Sequence, residues 1–294
     1  YPDGMRLEHG YDAVTQALDR LTDPATGQVW VANAELNEFG QAKTLALGNT
    51  VSRQMEFDWV GRATQVATNS NAGALSDLRY TFDANSNIAR IQELQGPIPR
   101  GTMNYVYDAL DRLTKAYGTT MSGENAGTVD APRFQYAYDP LGRMTYNSRF
   151  LNPSYSGYTL RYEYSGNPTS DRPAHAVRGI LFEKTAQPTV YAHRFEYDLA
   201  GNLLSSTDEA AAVAGENVLA RTYAWDALGR LKSVTTGSGV ATSFVYDHSR
   251  TRVKKTSSTG ATVTYIGDIA EITSTGMTKH IFAGPIRIAT VQTD

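Results

Sequence analysis

One short motif, Y-D-x-x-G-R-L, returns again and again along this chain. Its clearest copies are Tyr107 to Thr114 (YDALDRLT), Tyr138 to Thr145 (YDPLGRMT), Tyr197 to Leu204 (YDLAGNLL) and Trp225 to Lys232 (WDALGRLK). Looser copies stand at Phe57 to Thr64 (FDWVGRAT), Phe82 to Ala89 (FDANSNIA) and Tyr246 to Val253 (YDHSRTRV). Seven copies exclude coincidence. A chain built this way is an array in which each unit buries its apolar face against its neighbours.

The motif aspartates are Asp58, Asp83, Asp108, Asp139, Asp198, Asp226 and Asp247, so the steps are 25, 25, 31, 59, 28 and 21 residues. The long step holds a degraded copy, Tyr162 to Pro168, with Ser165 in place of Asp. Upstream, Asn37 to Ala42 and Tyr11-Asp12 extend the series, so the array fills nearly the whole chain.

Ahead of each Asp, large apolar residues alternate with small or polar ones: Met103/Tyr105/Tyr107, Phe134/Tyr136/Tyr138, Phe195/Tyr197, Tyr223/Trp225 and Phe244/Tyr246. Period two with aromatic enrichment predicts a β-strand with one buried face. A second apolar residue after the turn, such as Leu113, Met144, Leu203 or Leu231, predicts the return strand of a hairpin. The Asp carboxylate suits an Asx-type turn, and Gly61, Gly142, Gly201 and Gly229 supply the positive φ of a compact loop. Asp111 and Asn87 are read as replacements for that Gly, since Asp and Asn tolerate the left-handed region best. Arg62, Arg112, Arg143 and Arg230 are placed either to pair with a neighbouring repeat's Asp or to stack on its Tyr ring. Tyr105, Tyr107, Tyr136, Tyr138, Tyr197, Trp225 and Tyr246 are expected on the inner face of the resulting sheet. With 18 Tyr against 9 Phe and 3 Trp, that face suits a lining that is partly wetted or carries hydrogen bonds between rungs.

Gly/Pro/Ser/Asn-rich insertions at Met121 to Pro132 and Ser165 to Ala176 predict exposed hairpin loops. Asp208 to Asn217 predicts a surface decoration with one or two helical turns, and Gly96-Pro97-Ile98-Pro99 a stiff connector. The chain opens on Tyr1 rather than Met and without a signal-peptide pattern, so it is expected to be a piece of something longer.

Chemistry is hard to place on this pattern. Cysteine is absent, which excludes disulfides and thiolate chemistry. His9, His175, His193, His248 and His280 fall in different repeats, no G-x-S-x-G elbow occurs, and no paired His suits zinc. Gly237-Ser238-Gly239 lacks the P-loop lysine and predicts a hairpin turn. Calcium β-rolls need oxygens every second residue, whereas these carboxylates stand singly, and paired acids for glycoside hydrolysis are not evident. No cofactor and no metal are expected, nor catalytic residues. A net charge of −3 gives no signal for nucleic acid, and no apolar run approaches a membrane span.

The motif copies resemble the rearrangement-hotspot (RHS) or YD-repeat family, which includes bacterial polymorphic toxins, components of insecticidal toxin complexes and animal teneurins. Tyr1-Pro2-Asp3-Gly4 looks like inter-repeat sequence, and Tyr265 to Val291, with Ile281-Phe282-Ala283-Gly284 as its most characteristic part, looks like the stretch preceding the RHS-associated core. The resemblance divides the chain into a repeat array over 1–264 and, over 265–294, a last repeat segment leading toward a core that is absent.

The fold expected is all-β: repeated antiparallel hairpins forming one spiralling sheet, part of a hollow YD-repeat shell. An aromatic face with no partner sheet or helix in the sequence has to face a cavity or a guest. The resemblance implies a structural shell that encloses a C-terminal effector polypeptide, with other shell repeats or toxin-complex subunits as partners. It also implies secretion or cell-surface placement of the full-length protein. Any autoprotease or toxin activity would lie beyond residue 294, so the segment itself is read as non-enzymatic. The rival reading is an extracellular adhesion or carbohydrate-binding scaffold, teneurin-like, with a glycan as ligand.

Overall fold

The structure, a computed structural model, describes residues 1–95, 98–148, 159–164, 175–184, 186, 190–209 and 219–293. Among them there is no α-helix. The first sheet contains β1 (Glu8–Tyr11), β2 (Leu18–Thr22), β3 (Val29–Leu36), β4 (Ala42–Leu47), β5 (Ser52–Phe57), β6 (Ala63–Ser70), β7 (Gly73–Phe82), β8 (Ile88–Gln95), β9 (Ile98–Tyr107), β10 (Leu113–Thr119), β11 (Phe134–Tyr138) and β12 (Met144–Asn147). The second contains β13 (Thr159–Tyr164), β14 (Val177–Glu183), β15 (Val190–Tyr197), β16 (Leu203–Asp208), β17 (Leu219–Trp225), β18 (Leu231–Thr236), β19 (Ala241–Tyr246), β20 (Arg252–Ser257), β21 (Thr262–Ile266), β22 (Ala270–Thr273), β23 (Gly276–Ala283) and β24 (Ile286–Thr293).

In both sheets the hydrogen-bonded order is the chain order, as a run of hairpins requires. The single sheet expected from the sequence is in fact two, the first ladder ending at β12 and the second beginning at β13. The motif is weakest across that interval. By its contacts the chain forms two compact units, Tyr1–Phe134 with Lys279–Gln292, and Gln135–Thr278 with Thr293–Asp294.

Every motif hairpin carries a bulge at the same place. Phe57 pairs with Ala63 while Glu56 pairs with Gln65, leaving Thr64 unmatched, and the shift recurs at Phe82, Tyr107, Tyr138, Tyr197, Trp225 and Tyr246. The extra residue is always the sixth after the Asp. A bulge sharpens the local right-handed twist of the strand pair, so the motif repeats a twist as well as a turn.

All seven aromatic positions singled out above are half-buried, and on β11, β15, β17 and β19 the residue before Tyr138, Tyr197, Trp225 and Tyr246 is exposed. Full enclosure occurs elsewhere. In the first unit Leu21, Val31 and Leu45 of β2, β3 and β4 meet Ile281 and Ala283 of β23, with Trp30, Leu47 and Ile288 around them. Over these three strands the sheet face is covered by the chain's own C-terminal strands. Tyr1 Oη donates to the His280 carbonyl at 2.7 Å, and the buried Lys279 ammonium pairs with Asp3 at 2.6 Å. A second patch in that unit gathers Met103, Ala116 and Ala126 beside Tyr105. In the other unit, Leu160, Ile180, Phe182 and Ala192 form the centre of β13–β15.

The loop after β10 is held by bridges Thr119↔Asn125 and Gly127↔Pro132. Of the supposed connector, Ile98 and Pro99 belong to β9, while Gly96 and Pro97 lie outside the described residues. Residues 165–174 and 210–217, where a loop and a helical decoration were expected, lie outside them too, as do Ser165 to Pro168 of the degraded copy.

Candidate functional site

The recurring turn is the feature around which the described chain is organised. At Asp58, Oδ1 accepts from the amides of Val60 at 3.1 Å and Arg62 at 2.9 Å, and Oδ2 accepts from Arg62 Nε at 2.7 Å. Asp108, Asp139 and Asp226 repeat this with Arg112, Arg143 and Arg230. Asp83 and Asp198 keep it with Asn87 and Asn202, whose Nδ2 donates to Oδ2 at 3.1 and 2.8 Å. At Asp247 the cap comes from the Thr251 amide at 2.9 Å. The same turn is built on Asn37, whose Oδ1 accepts from Phe39 and Gln41.

The third residue after the Asp has to take positive φ. Gly61, Gly142, Gly201 and Gly229 do so at 83°, 82°, 85° and 70°, and Ser86, Asp111 and Arg250 do so at 72°, 59° and 66°. Ser86, and not Asn87, therefore stands in for the glycine. Asn87 occupies the arginine's position, which is why it reaches Asp83 rather than bending the loop.

The arginines correct the sequence reading in one half and agree with it in the other. Each pairs with the Asp of its own turn, four residues back, and not with a neighbour's. From there Arg62 lies over the Phe82 ring at 4.6 Å, Arg143 over Tyr164 at 4.7 Å and Arg230 over Tyr246 at 5.2 Å, each ring belonging to the next repeat. The carboxylate holds the guanidinium over that ring, where cation–π attraction operates.

The ring then returns the contact. Tyr107 Oη donates to the Ile88 carbonyl at 2.9 Å, Tyr164 Oη to Met144 at 2.6 Å, Trp225 Nε1 to Leu203 at 2.7 Å and Tyr246 Oη to Leu231 at 2.9 Å. In each case the acceptor is five residues past the preceding Asp, or its equivalent, and flanks the bulge. Tyr136 and Tyr138 face Asn147 and Met144 across β11–β12, Tyr197 faces Leu203, and Tyr105 faces Ala116. Burial pushes the Tyr107, Tyr164 and Tyr197 phenols up, and that of Tyr162 to about 12, so they remain neutral donors at physiological pH. Tyr107→Phe should therefore cost about 0.5–1.5 kcal/mol, because the Ile88 carbonyl loses its donor while the ring stays. Urea denaturation reads this, and an unchanged midpoint would show that the hydroxyl is not part of the rung.

The capping aspartates titrate below the ordinary value of 3.8 at Asp58, Asp83, Asp108, Asp139, Asp198 and Asp226. At the first four, desolvation pushes the carboxyl up and the hydrogen bonds from the turn outweigh it. At Asp198 the Asn202 side chain leads, and at Asp226 the Arg230 amide. A carboxyl with a depressed folded pKa adds stability that is complete above its unfolded pKa and is lost as pH falls through the folded one. The urea midpoint should thus fall steeply on acidification below the unfolded value of 3.8. A midpoint that ignores acidification from about pH 5 to about pH 3 would remove the carboxylates from the account of stability.

The turn at Asp23 is among those that escaped the sequence reading. Asp23 Oδ1 accepts from Ala25 at 2.9 Å, with Gly27 at φ 72°, but the loop is one residue longer than the motif allows. Its only signal is the run Asp23-Pro24-Ala25-Thr26-Gly27. Among the described residues no group of three or more His, Cys, Asp or Glu side chains is placed to hold a metal.

Within this series of turns and rungs, residues 225–263 match the family model RHS Repeat. This segment of the chain carries an RHS-repeat match. No curated protein sequence matches it. Over 94% of its length the chain is similar to a chain in the crystal structure of TcdB2-TccC3-Cdc42, at 16% identity and a TM-score of 0.50, covering 16% of that chain. It is similar over the same share to a chain of the Photorhabdus luminescens Tc holotoxin pore, at 18% identity and a TM-score of 0.51, covering 15% of that chain. At such identities the likeness is one of fold, and the chain spans about one sixth of the length of the solved chains.

Proposed function

We propose that this RHS-repeat chain is a wall segment of a toxin shell and that the complete shell encloses an effector polypeptide. The observation that carries the reading is the ladder: hairpins in chain order, the motif turns capped by their own Asp, and the repeats at Asp58, Asp83, Asp139, Asp198 and Asp226 tied to the next by an arginine–ring contact or a ring-to-carbonyl bond. Such coupling favours a stiff surface over a mobile binding loop. The fold likeness to Tc toxin chains supports a structural role in a toxin. In this reading the segment does no chemistry, any proteolytic or toxic activity belongs to residues beyond it, and the full-length protein acts outside the cell that makes it. Other shell repeats or toxin-complex subunits continue the wall.

Limited proteolysis of the full-length protein tests the proposal. The effector region should resist protease while the wall is folded and become cleavable once urea unfolds it. An effector digested as fast in the intact protein as in isolation would sink the shell reading. It would leave the adhesion scaffold, with a glycan ligand, as the better account.

A further inference from the structure

The antiparallel order gives the first sheet two unlike rims, one carrying the motif turns and the other the turns between them. In the unit formed by Tyr1–Phe134 and Lys279–Gln292 the motif rim is apolar. At each turn the second residue after the capping Asp or Asn donates its amide to that residue's Oδ1 at 2.9–3.1 Å, which fixes it at the loop tip. These residues are Val14, Phe39, Val60 and Leu110, with Asn85 the exception. All four are exposed, and Trp59 beside Val60 is 87% exposed. Successive motif turns stand two strands, or about 10 Å, apart. One exposed apolar residue is ordinary, but an apolar residue at the same place on turn after turn marks an interaction surface.

What such a rim covers is visible within the chain. The loop joining β23 to β24 falls on the same side of its ladder as the turns at Asp198, Asp226 and Asp247, since each joins an odd-numbered strand to the next even one. Beside that loop, Ile281, Ala283 and Ile288 pack on Leu21, Val31 and Leu45. Those three stand toward the rim of β2–β4 opposite the motif turns, where the loops at Asp23 and Asn49 lie. Val29, Leu47 and Asn49 of that rim share a small cavity with Ile288 and Ala289. The chain therefore already packs a motif-side strand end on an opposite-side one. Beyond β4 the opposite rim continues without this cover, and Leu75 of β7 and Ile98 of β9 are exposed on it.

We propose that the motif rim seats head to tail on the opposite rim of a second copy of this chain, Phe39, Trp59 and Val60 of one copy meeting the strand ends around Leu75 and Ile98 of the other. The contact extends along the row that β23–β24 begins. It rests on the shell reading only for its role, the joining of one course of wall to the next. Loss of association would leave effector protection standing, and an unprotected effector would leave association standing.

Sedimentation analysis of the whole chain over a concentration series tests this. The two surfaces differ, so the contact is heterologous and mass should grow past a dimer. Phe39→Ser with Trp59→Ser should weaken association about tenfold or more, and Leu75→Ser with Ile98→Ser should do the same. A mixture of the two double variants separates this contact from others. The first keeps its opposite rim and the second its motif rim, so together they should form a one-to-one dimer that grows no further. A chain that stays monomeric overturns the proposal, as does a mixture that stays monomeric. Undiminished association of either double variant overturns it too, and assigns the association to pairing between unpaired sheet edges. All four substituted residues are exposed, so the fold should persist, and the urea midpoint checks it. Should a pair fail to fold, Val14→Ser with Leu110→Ser replaces the first and Ile98→Ser alone the second.

Discussion

Phe182→Ala is expected to cost about 3–5 kcal/mol, the range for truncating a fully packed Phe. Phe182 is 1% exposed and lies on β14 between Leu160 of β13 and Val190 of β15 in the ladder register. Ile180 and Ala192 close around it, and Tyr146, Tyr162 and Phe195 flank the group. Packing of that kind leaves little room for collapse after truncation, so the loss includes a cavity as well as lost burial. The urea midpoint of the variant should drop with an unchanged slope, whereas Phe182→Leu should cost less, about 1.5 kcal/mol or below. A loss under about 1 kcal/mol for the alanine variant would mean that β13–β15 are not stabilised by this cluster. Stability there would have to come from the strand ladder alone.

Ile281→Ala should cost about 2–5 kcal/mol, with Ile281→Val at about 0.5–1.5 kcal/mol. Ile281 is fully buried on β23, against Leu21, Val31 and Leu45. It contributes to N-terminal strands more than 200 residues away in sequence, so its loss should be felt there. Amide hydrogen exchange in β2–β4 should accelerate along with the drop in stability, since local opening follows the loss of buried contacts. If exchange in β2–β4 stays as in the parent while stability falls, the C-terminal strands do not hold the cover over that face. The rows of exchange data for β5–β8 serve as the internal comparison, because no residue of those strands belongs to the cluster.

Much of the local structure was legible because the motif encodes contacts within a few residues. An Asp followed three residues later by Gly dictates both the acceptor and the positive φ of one turn, and the turns fall just after all seven aspartates. Alternation of Tyr with small residues likewise places strands on both sides. Errors entered where two adjacent residues share a chemistry. Asn87 and Ser86 both suit turns, and only the dihedral angles show that Ser86 bends the loop while Asn87 replaces arginine. The choice of arginine partner was open for a related reason, because reach from sequence spacing admits both carboxylates and the strand twist selects the nearer.

The sequence by itself determined a run of antiparallel hairpins, their turn residues and the half-buried aromatic face, since each depends on interactions between residues close together in the chain. Tertiary structure alone decided the bulge at the sixth residue after each Asp and the ring-to-carbonyl bond that joins successive repeats. Backbone carbonyls carry no side-chain signature, and a register shift leaves the alternation readable on either side. The division into two ladders and the cover that Ile281 and Ala283 place over Leu21, Val31 and Leu45 were equally out of reach. Apolar alternation is alike on every strand of such an array, so it marks which faces must be buried without specifying which strands bury them.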